Sequence, residues 1–364
     1  MSSSQQHKRV LTNDRILQKL PAKNFKYGKD EKEKKPENAQ GMDLSNLLIY
    51  RLEDDCLSTF PKLTRLVLKS NELETLPILP STLKYLDVSK NQRLTNLSFL
   101  KGLVNLTSLL LSECVQLQTS FRFEEDFVDC KNLKVLLLDH IGIAGKLILN
   151  EKIPFRRTLS TLIVSHNALE EIDLKSAKYL DKLSASNNPK LSLIMNIPRT
   201  LTELRLAHCV GLSSLDFLNK NLKNLELLDL AKCPLVSNWK NLEISSKSLL
   251  NLNLKGTNLR IKYDDNLDKY QKDCLKNLKC KKLRSLDFTT IPSAIYEAFK
   301  NMEQEEEDDD DNDEGEDFPE IQKPELSMHL EDFQDCDTKE VMPKQKKGRV
   351  DDADDLFLGE KSAW

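Results

Sequence analysis

A nine-residue pattern recurs through this chain, and its clearest copy is Leu63-Thr64-Arg65-Leu66-Val67-Leu68-Lys69-Ser70-Asn71. The pattern reads L-x-x-L-x-L-x-x-N, with Val or Ala accepted at position 6, and it returns at residues 83–91, 159–167 and 180–188. Looser copies with Cys, Thr or Ile at position 9 begin at residues 106, 133, 201, 225, 249 and 283. An earlier copy at 44–52 keeps the apolar positions but lacks the Asn. Because the starts are 19 to 34 residues apart, the sequence predicts a tandem-repeat architecture.

The spacing of the apolar residues predicts one short β-strand in each copy. Residues at positions 4 and 6 alternate with outward-facing neighbours, as one buried face of a strand requires. Successive strands then stack in parallel about 4.8 Å apart. Apolar residues at positions 1, 4 and 6 meet in a core that no single repeat could build alone.

Position 9 needs an explanation of its own. A short amide side chain there can satisfy backbone groups of the turn that would otherwise be buried without partners. Cys114, Cys209 and Cys233 occupy the same position and can donate a weaker hydrogen bond. Ile141 cannot donate one, so we expect the hydrogen-bond ladder to be interrupted and the curvature to change there.

The pattern resembles the leucine-rich repeat family over roughly residues 41–295. The resemblance implies an α/β solenoid, a horseshoe with a concave parallel β-sheet and an irregular or short-helical convex side. It also implies about 11 repeats between disordered tails. Two looser resemblances are to the intracellular regulatory leucine-rich repeat subunits of protein phosphatase 1 and to acidic-tailed nuclear leucine-rich repeat proteins. Repeat length and tail length depart from both groups, so no binding residues are carried over from them.

Charge divides the chain into three predicted segments. Residues 1–40 carry 10 Lys and Arg against 5 Asp and Glu and predict a basic, mostly disordered N-terminal arm. Ile16, Leu17, Leu20 and Phe25 leave open the alternative that this arm docks on the first repeat. Residues 41–302 are the solenoid with its C-terminal cap. Residues 303–364 carry 7 Lys and Arg against 24 Asp and Glu and predict an acidic disordered tail.

Several features indicate an intracellular protein. No apolar run approaches the roughly 20 residues that a bilayer span needs, so we expect no membrane association. The first nine residues lack the apolar core of a secretory signal. The eight cysteines are scattered singly, which favours reduced thiols in the nucleus, the cytoplasm or both. A short basic cluster at 344–349 is compatible with a nuclear import signal.

Catalytic, metal and cofactor sites are not expected. His140, His166 and His208 all occupy position 8, but the spacing matches no metal motif and supplies no further ligands. Cys209 follows His208, which suggests a nucleophile and its base, yet position 9 should turn the thiol inward and leave it inert. The chain has 10 glycines, and none forms a phosphate-binding loop. We therefore expect a protein that is not an enzyme.

Positions 3 and 5 should line the concave side, where we expect a protein partner to bind. Position 5 is apolar in five of the first six copies and in none of the last five. A contiguous apolar strip on an exposed sheet is typical of a partner site. The predicted partner-binding residues are Leu48, Val67, Tyr85, Leu110, Val135, Leu137, Ile163, Arg205 and Asp229.

Two further surfaces are candidates for binding. Residues 265–282 show a helical pattern with a basic face that predicts a phosphate or acidic-partner patch, formed by Lys269, Lys272, Lys276, Lys279, Lys281 and Lys282. The acidic tail could bind basic proteins such as histones or ribosomal proteins. Near its end, a predicted docking motif consists of Leu356, Phe357 and Leu358, with Trp364 as a further anchor.

These observations favour a non-enzymatic adaptor, expected to be a monomer within a hetero-complex. Assembly of a nuclear ribonucleoprotein or chromatin complex ranks ahead of regulation of a protein phosphatase. The alternative from another class is nucleic-acid binding through residues 265–282. A scaffold of this kind does not by itself name a function.

Overall fold

The structure is a computed structural model, and it describes residues 10–28, 34–117, 122–213, 216–219, 222–234, 248–253, 255 and 285–287. The predictions for residues 265–282 and 303–364 lie outside these ranges. Within them, short strands dominate and helices are few.

The strands, in chain order, are β1 (Val10–Leu11), β2 (Phe25–Lys26), β3 (Gly41–Asp43), β4 (Arg51–Leu52), β5 (Arg65–Val67), β6 (Tyr85–Asp87), β7 (Ser108–Leu110), β8 (Val135–Leu137), β9 (Ala144–Ile148), β10 (Thr161–Ile163), β11 (Ala168–Asp173), β12 (Lys182–Ser184), β13 (Leu193–Met195), β14 (Glu203–Arg205), β15 (Leu227–Asp229), β16 (Asn251–Asn253) and β17 (Ser285–Asp287). The α-helices are α1 (Asn13–Lys19) and α2 (Phe123–Asp126). Single 3-10 turns cover Ala22–Asn24, Pro36–Asn38, Ser98–Leu100, Val115–Leu117 and Asp216–Asn219.

One 12-stranded sheet forms the concave side, in the order β2-β3-β5-β6-β7-β8-β10-β12-β14-β15-β16-β17. Every pairing in it is parallel except the first, in which β2 runs antiparallel to β3. From β5 onward each strand of this sheet occupies positions 3 to 5 of a predicted copy, and position 4 pairs with position 4 of the next repeat, as Leu66 does with Leu86. The predicted solenoid is confirmed.

The core runs through the solenoid as one continuous cluster of buried side chains. Leu63, Leu66 and Leu68, at positions 1, 4 and 6, are all 0% exposed. Burying a leucine fully contributes roughly 1.5–3 kcal/mol, and each repeat supplies several. The leucine spacing therefore explains both the strand positions and the cohesion between repeats.

Position 9 supplies the predicted hydrogen-bond ladder. The side chain of Asn91 is fully buried, donates to the carbonyls of Leu68 (3.0 Å) and Val88 (2.7 Å), and accepts from the N–H of Leu73 (3.2 Å). Asn71, Asn167 and Asn188 make equivalent bonds. Each asparagine thus links its own turn to the preceding repeat.

Cysteine replaces asparagine in the ladder as predicted. The thiols of Cys114, Cys209 and Cys233 donate to carbonyls of the preceding repeat at 3.2, 3.2 and 3.1 Å. Ile141 is fully buried at the same position and has no side-chain donor, which interrupts the ladder. The concave sheet nevertheless passes through in register, with Leu110, Leu137 and Ile163 paired in turn.

Residues 10–28 form a folded cap on the first repeat, which differs from the predicted disordered arm. Helix α1 begins after Thr12, whose hydroxyl accepts from the N–H of Arg15 (3.3 Å), and it buries Ile16 completely. The Phe25 ring stacks on Phe60 with centroids 6.4 Å apart. The exposed leucines of a terminal repeat must be covered, so the few apolar residues of this basic segment are placed against them.

The first repeat is also displaced from its predicted position. Gly41 pairs with Arg65 and Met42 with Leu66, so the frame is 39–47 rather than 44–52. Ala39 and Met42 occupy positions 1 and 4, where the pattern favours leucine. The leucines after Asp43 fit the repeat spacing by coincidence, and for this reason the first repeat was predicted five residues too late.

The convex side is mostly irregular. Two small sheets lie outside the concave one in the described ranges: β1 pairs with β4, and a three-stranded sheet lies on the convex side. Strands β9, β11 and β13 pair in parallel there. Residues 76–80, with the sequence LPILP, run without helix; Leu76 and Leu79 are buried and Ile78 is exposed. Proline removes backbone donors and favours extended chain, which accounts for this segment.

Candidate functional site

The centre of the concave face carries a short apolar strip, defined here as Leu110, Val135, Leu137 and Ile163. Leu110, Leu137 and Ile163 are each at position 5 of their repeat, and they are direct neighbours across β7, β8 and β10. Val135 lies at position 3, between Ser108 and Thr161. All four side chains are partly exposed rather than buried. The side chains that would form the predicted partner site therefore meet on one surface over three repeats.

Val67 does not belong to the apolar strip. In the sheet its neighbours at position 5 are Asp43 and Asp87, and it is only 3% exposed. The strip is therefore shorter than the sequence predicts, because Asp87 separates Val67 from Leu110.

Leu48 is not on the concave sheet at all. It follows the strand of the corrected first repeat and adopts a positive φ of 53°. The backbone N–H groups on either side of it, from Leu47 and Ile49, donate to the Asn71 side chain at 3.1 and 3.0 Å. The side chain of Leu48 is exposed at this turn, away from the apolar strip.

Tyr85 lies on the concave face but is covered by a cation. The Arg65 guanidinium lies 3.5 Å from the centroid of its ring, a cation–π contact worth about 0.5–1 kcal/mol near a surface. Burial, followed by the charge of Asp87, raises the pKa of Tyr85 above its ordinary value. The sequence did not indicate this stack, since the two residues are 20 positions apart and are aligned only by the strand register.

Acidic and amide side chains at position 5 close the strand ends. The carboxylates of Asp87 and Asp229 accept from the N–H groups of Ser89 (2.9 Å) and Ala231 (3.0 Å), two residues further along. Asp43 and Asn253 make the same bond. This Asx-type turn is a local structural role. It gives Asp229 a function in the fold that does not depend on a partner.

The C-terminal half of the concave face carries a small ionic cluster. Lys182 is ion-paired with Glu203, and the other oxygen of Glu203 lies 3.8 Å from Arg205. Partly exposed pairs of this kind contribute about 0–1 kcal/mol to stability. Ser184 is the position-5 neighbour of Ile163 and Arg205 is the next one, so the charged cluster begins one strand beyond the apolar strip.

One margin of the concave face is a row of residues at position 8. In nine successive repeats this residue has a positive φ between 52° and 63° without being glycine. Its N–H donates to the position-7 carbonyl of the next repeat, as Lys90 does to Ser112 (2.8 Å). This interrepeat bond holds the left-handed conformation, which alone costs roughly 1–2 kcal/mol.

The position-8 row brings the histidines together. His140 and His166 stack with ring centroids 3.9 Å apart and planes 14° apart, and His166 also hydrogen-bonds to Asn187 (3.2 Å). Beside them Lys90 and Glu113 form an ion pair at 3.2 Å. Partial burial, then the charge of Lys232, lowers the pKa of His208 below its ordinary value. In the described ranges no group of three or more His, Cys, Asp or Glu residues could hold a metal ion.

Cys209 is placed as a buried structural residue. Its thiol donates to the Ala185 carbonyl, and burial raises its pKa to about 11. Since the thiolate is the nucleophilic form, this geometry opposes a catalytic pairing with His208. Burial likewise raises the pKa values of Cys56, Cys114, Cys130 and Cys233 to about 12.

The remaining candidate residues lie outside the described ranges. They are the basic face of 265–282, with Lys269, Lys272, Lys276, Lys279, Lys281 and Lys282, and the tail motif Leu356, Phe357, Leu358 and Trp364. Across the ranges that the structure does describe, no helix is both long enough and apolar enough to cross a membrane.

The repeat itself now decides the fold class. Strands at positions 3 to 5, buried leucines at 1, 4 and 6, and an Asn or Cys ladder at position 9 define it. The chain has a leucine-rich repeat fold.

No protein-family model matches the chain. Human epiphycan is 39% identical over 51 residues, and chicken epiphycan is 40% identical over 55 residues. The human match covers 14% of this chain and 16% of epiphycan, so this chain aligns with about one-sixth of that relative.

Three solved structures are similar at low identity. The leucine-rich repeat domain of APL1B is 19% identical, with a TM-score of 0.47 over 60% of this chain and 64% of that one. Internalin C2 from Listeria monocytogenes is 21% identical, with a TM-score of 0.39 over 53% and 82%. The Leptospira interrogans protein LIC12759 is 19% identical, with a TM-score of 0.41 over 75% and 67%.

Proposed function

We propose that this protein is a non-enzymatic scaffold that binds a protein partner on the concave face of its repeats. The observation that carries the proposal is the apolar strip, where Leu110, Leu137 and Ile163 stand in register and remain partly exposed. An apolar patch on an otherwise polar sheet is typical of an interaction site. A partner that binds there would remove these apolar side chains from water, which favours binding.

The size of the strip limits how tightly it could bind alone. Full burial of an exposed side chain of this type contributes roughly 1.5–3 kcal/mol, and the four residues here are already partly covered. A total of about 3–6 kcal/mol is comparable with the lower end of the cost of association. The partner must therefore also contact the charged residues beside the strip, among them Lys182, Glu203 and Arg205.

Within this role we propose assembly of a nuclear ribonucleoprotein or chromatin complex, with the chain as a monomer in the hetero-complex. The basic cluster at 344–349 supports nuclear import, and the acidic run that begins at residue 303 suits basic proteins such as histones or ribosomal proteins. Regulation of a phosphatase and nucleic-acid binding through 265–282 are alternatives that rest on the sequence. No contact between the described residues supports either of them.

The test compares proteins captured from a cell lysate by the wild-type chain and by Leu110→Asp/Leu137→Asp. We expect the variant to lose specific partners, because two carboxylates in the strip would have to be desolvated on binding. The control is Ile148→Asp/Leu193→Asp, which exchanges two aliphatic residues for aspartate at exposed positions of the convex sheet. If both variants capture the same proteins as the wild type, the concave strip is not the binding site.

A further inference from the structure

Three lysines border the apolar strip on the side where the strands begin, and we call them the basic margin. Lys84 and Lys134 directly precede β6 and β8, and Lys182, which is ion-paired with Glu203, is the first residue of β12. All three are exposed. They belong to alternate repeats, so strand spacing places them about 10 Å apart. The strip lies within the interval that they span.

The backbone fixes the first two lysines at this edge. The carbonyl of Lys84 accepts from the N–H groups of Thr107 (2.8 Å) and Ser108 (3.0 Å) in the next repeat. The carbonyl of Lys134 accepts in the same way from Ser160 and Thr161 (both 2.9 Å). Their backbones are therefore held at the edge of the concave sheet, and their side chains are exposed there.

The opposite margin offers less charge to a ligand, because its acids are already engaged. The Asp139 carboxylate accepts from the Ser112 hydroxyl (3.1 Å) and the Ser165 N–H (3.0 Å). Glu113 is paired with Lys90. An apolar strip with cations along one side suits a ligand with an apolar end and acidic residues next to it.

The chain contains such a ligand. Residues 351–358 read Asp-Asp-Ala-Asp-Asp-Leu-Phe-Leu, four acids followed by three large apolar side chains. We propose that this segment docks on the concave face of its own chain, with Leu356, Phe357 and Leu358 on the apolar strip and Asp354 and Asp355 toward the basic margin. The proposal rests on the proposed function, since it assigns the same strip a first occupant.

Distance and size both permit this contact. About 70 residues separate Asp287 from Leu356, and an extended chain of that length spans more than ~200 Å. Three repeats make the strip about 10 Å long, which is about the length of three residues of extended chain. Asp354 and Asp355, four and three residues before the last apolar residue, then reach the margin rather than the strip.

Docking within one chain makes the segment a built-in competitor. A tether of about 70 residues corresponds to an effective concentration of about millimolar for the segment at its end. A segment with an intrinsic Kd of roughly 50 μM would then occupy the strip most of the time. A partner that uses the strip would bind about tenfold or more weakly until the segment is displaced.

The test uses a fluorescein-labelled synthetic peptide of residues 350–360 and three full-length chains. These are the wild type, Leu356→Asp/Phe357→Asp, and the control Leu330→Asp/Phe333→Asp, which makes the same exchanges elsewhere in the tail. Fluorescence anisotropy should show that the peptide binds the Leu356→Asp/Phe357→Asp chain at least tenfold more tightly than it binds the other two. Adding Leu137→Asp to that chain should abolish binding, and raising the salt concentration should weaken it.

Each other outcome overturns the proposal. Equal affinity of the peptide for all three chains means that no segment occupies the strip in the free protein. Binding that survives Leu137→Asp places the segment elsewhere. If Leu137→Asp does not fold, as judged by circular dichroism, Lys84→Glu/Lys134→Glu replaces it. Unchanged affinity of the peptide for that variant would contradict the proposal. Sedimentation that shows dimers dependent on Leu356 and Phe357 would assign the segment to a second copy.

The two proposals fail separately. If the peptide does not bind while Leu110→Asp/Leu137→Asp still loses its captured partners, the strip binds other proteins and docking of residues 351–358 is wrong. If the peptide binds the strip and the captured proteins are unaffected, the concave face serves its own tail and the scaffold proposal is wrong.

Discussion

At the scale of single residues, position 9 shows how one side chain supports two repeats. Asn91 donates to a carbonyl of its own turn and to one of the preceding repeat, and it accepts from the segment that follows Asn71. A buried polar group that loses its partner costs about 1–3 kcal/mol. The asparagine is therefore needed because the sharp turn after each strand leaves backbone groups facing the core.

We expect Asn91→Ala to lower the free energy of unfolding by about 2–4 kcal/mol, since several buried backbone groups lose their partner. Asn91→Cys should lower the free energy of unfolding by less. The natural cysteine at position 9 of the next repeat, Cys114, donates to the Val88 carbonyl, so a cysteine can supply one bond of the ladder. Urea unfolding followed by circular dichroism measures both. The control is Asn105→Ala, which removes one exposed bond to the Ser81 carbonyl; a loss as large as that of Asn91→Ala would contradict the role of the ladder.

His208 gives a pH prediction with a defined sign. Burial and Lys232 lower its pKa in the folded chain, so the unfolded chain binds a proton more readily. Its contribution to stability is present above the ordinary histidine pKa of 6.5 and is lost as the pH falls below that value. The titration of the His208 imidazole by NMR should therefore have a midpoint below 6.5.

Two substitutions test the cause of that shift. Lys232→Gln removes a repelling charge and should raise the midpoint, whereas Asp229→Asn removes an attracting charge and should lower it. The asparagine can still accept from the Ala231 N–H, so the turn is retained. A midpoint that moves in the same direction in both variants would show that charge is not responsible.

At the scale of elements, the N-terminal cap shows how a short segment closes a repeat array. Helix α1 covers the first repeat with Ile16, and β2 pairs antiparallel with β3 at the sheet edge. An uncovered edge strand is open to pairing with another chain. The cap thus protects both the apolar core and the backbone groups of the first parallel strand.

We expect Ile16→Ala to destabilise the chain by about 2–4 kcal/mol, the usual cost of a cavity at a buried aliphatic residue. Gln18→Ala, at an exposed position of the same helix, should change stability by less than about 0.5 kcal/mol. Urea unfolding measures the difference, and amide hydrogen exchange should show faster exchange of β3 in Ile16→Ala. Equal stability of the two variants would mean that α1 does not support the first repeat.

At the scale of the whole molecule, the sequence predicted what recurs and missed what occurs once. Leucine spacing placed the strands from β5 onward, because alternation along a strand is a local property. The apolar residues Ile16 and Phe25 indicated the cap as an alternative, but the basic composition favoured a disordered arm. The first repeat was misplaced because Ala39 and Met42 depart from the pattern. Asp87 was visible in the sequence as the one polar residue at position 5 of the first six copies, and the strand register places it between Val67 and Leu110.

The convex sheet β9–β11–β13 has a mechanical consequence for the repeats that carry Leu137 and Ile163. A leucine-rich solenoid bends when its outer wall needs more room per repeat than the roughly 4.8 Å of its inner strands. Packed helices need about 8–10 Å, but here the outer wall is also built of parallel strands. The spacing between repeats is then the same on the concave and convex sides, so we expect little curvature in this part of the solenoid. A partner that binds here should present a flat surface rather than a convex one.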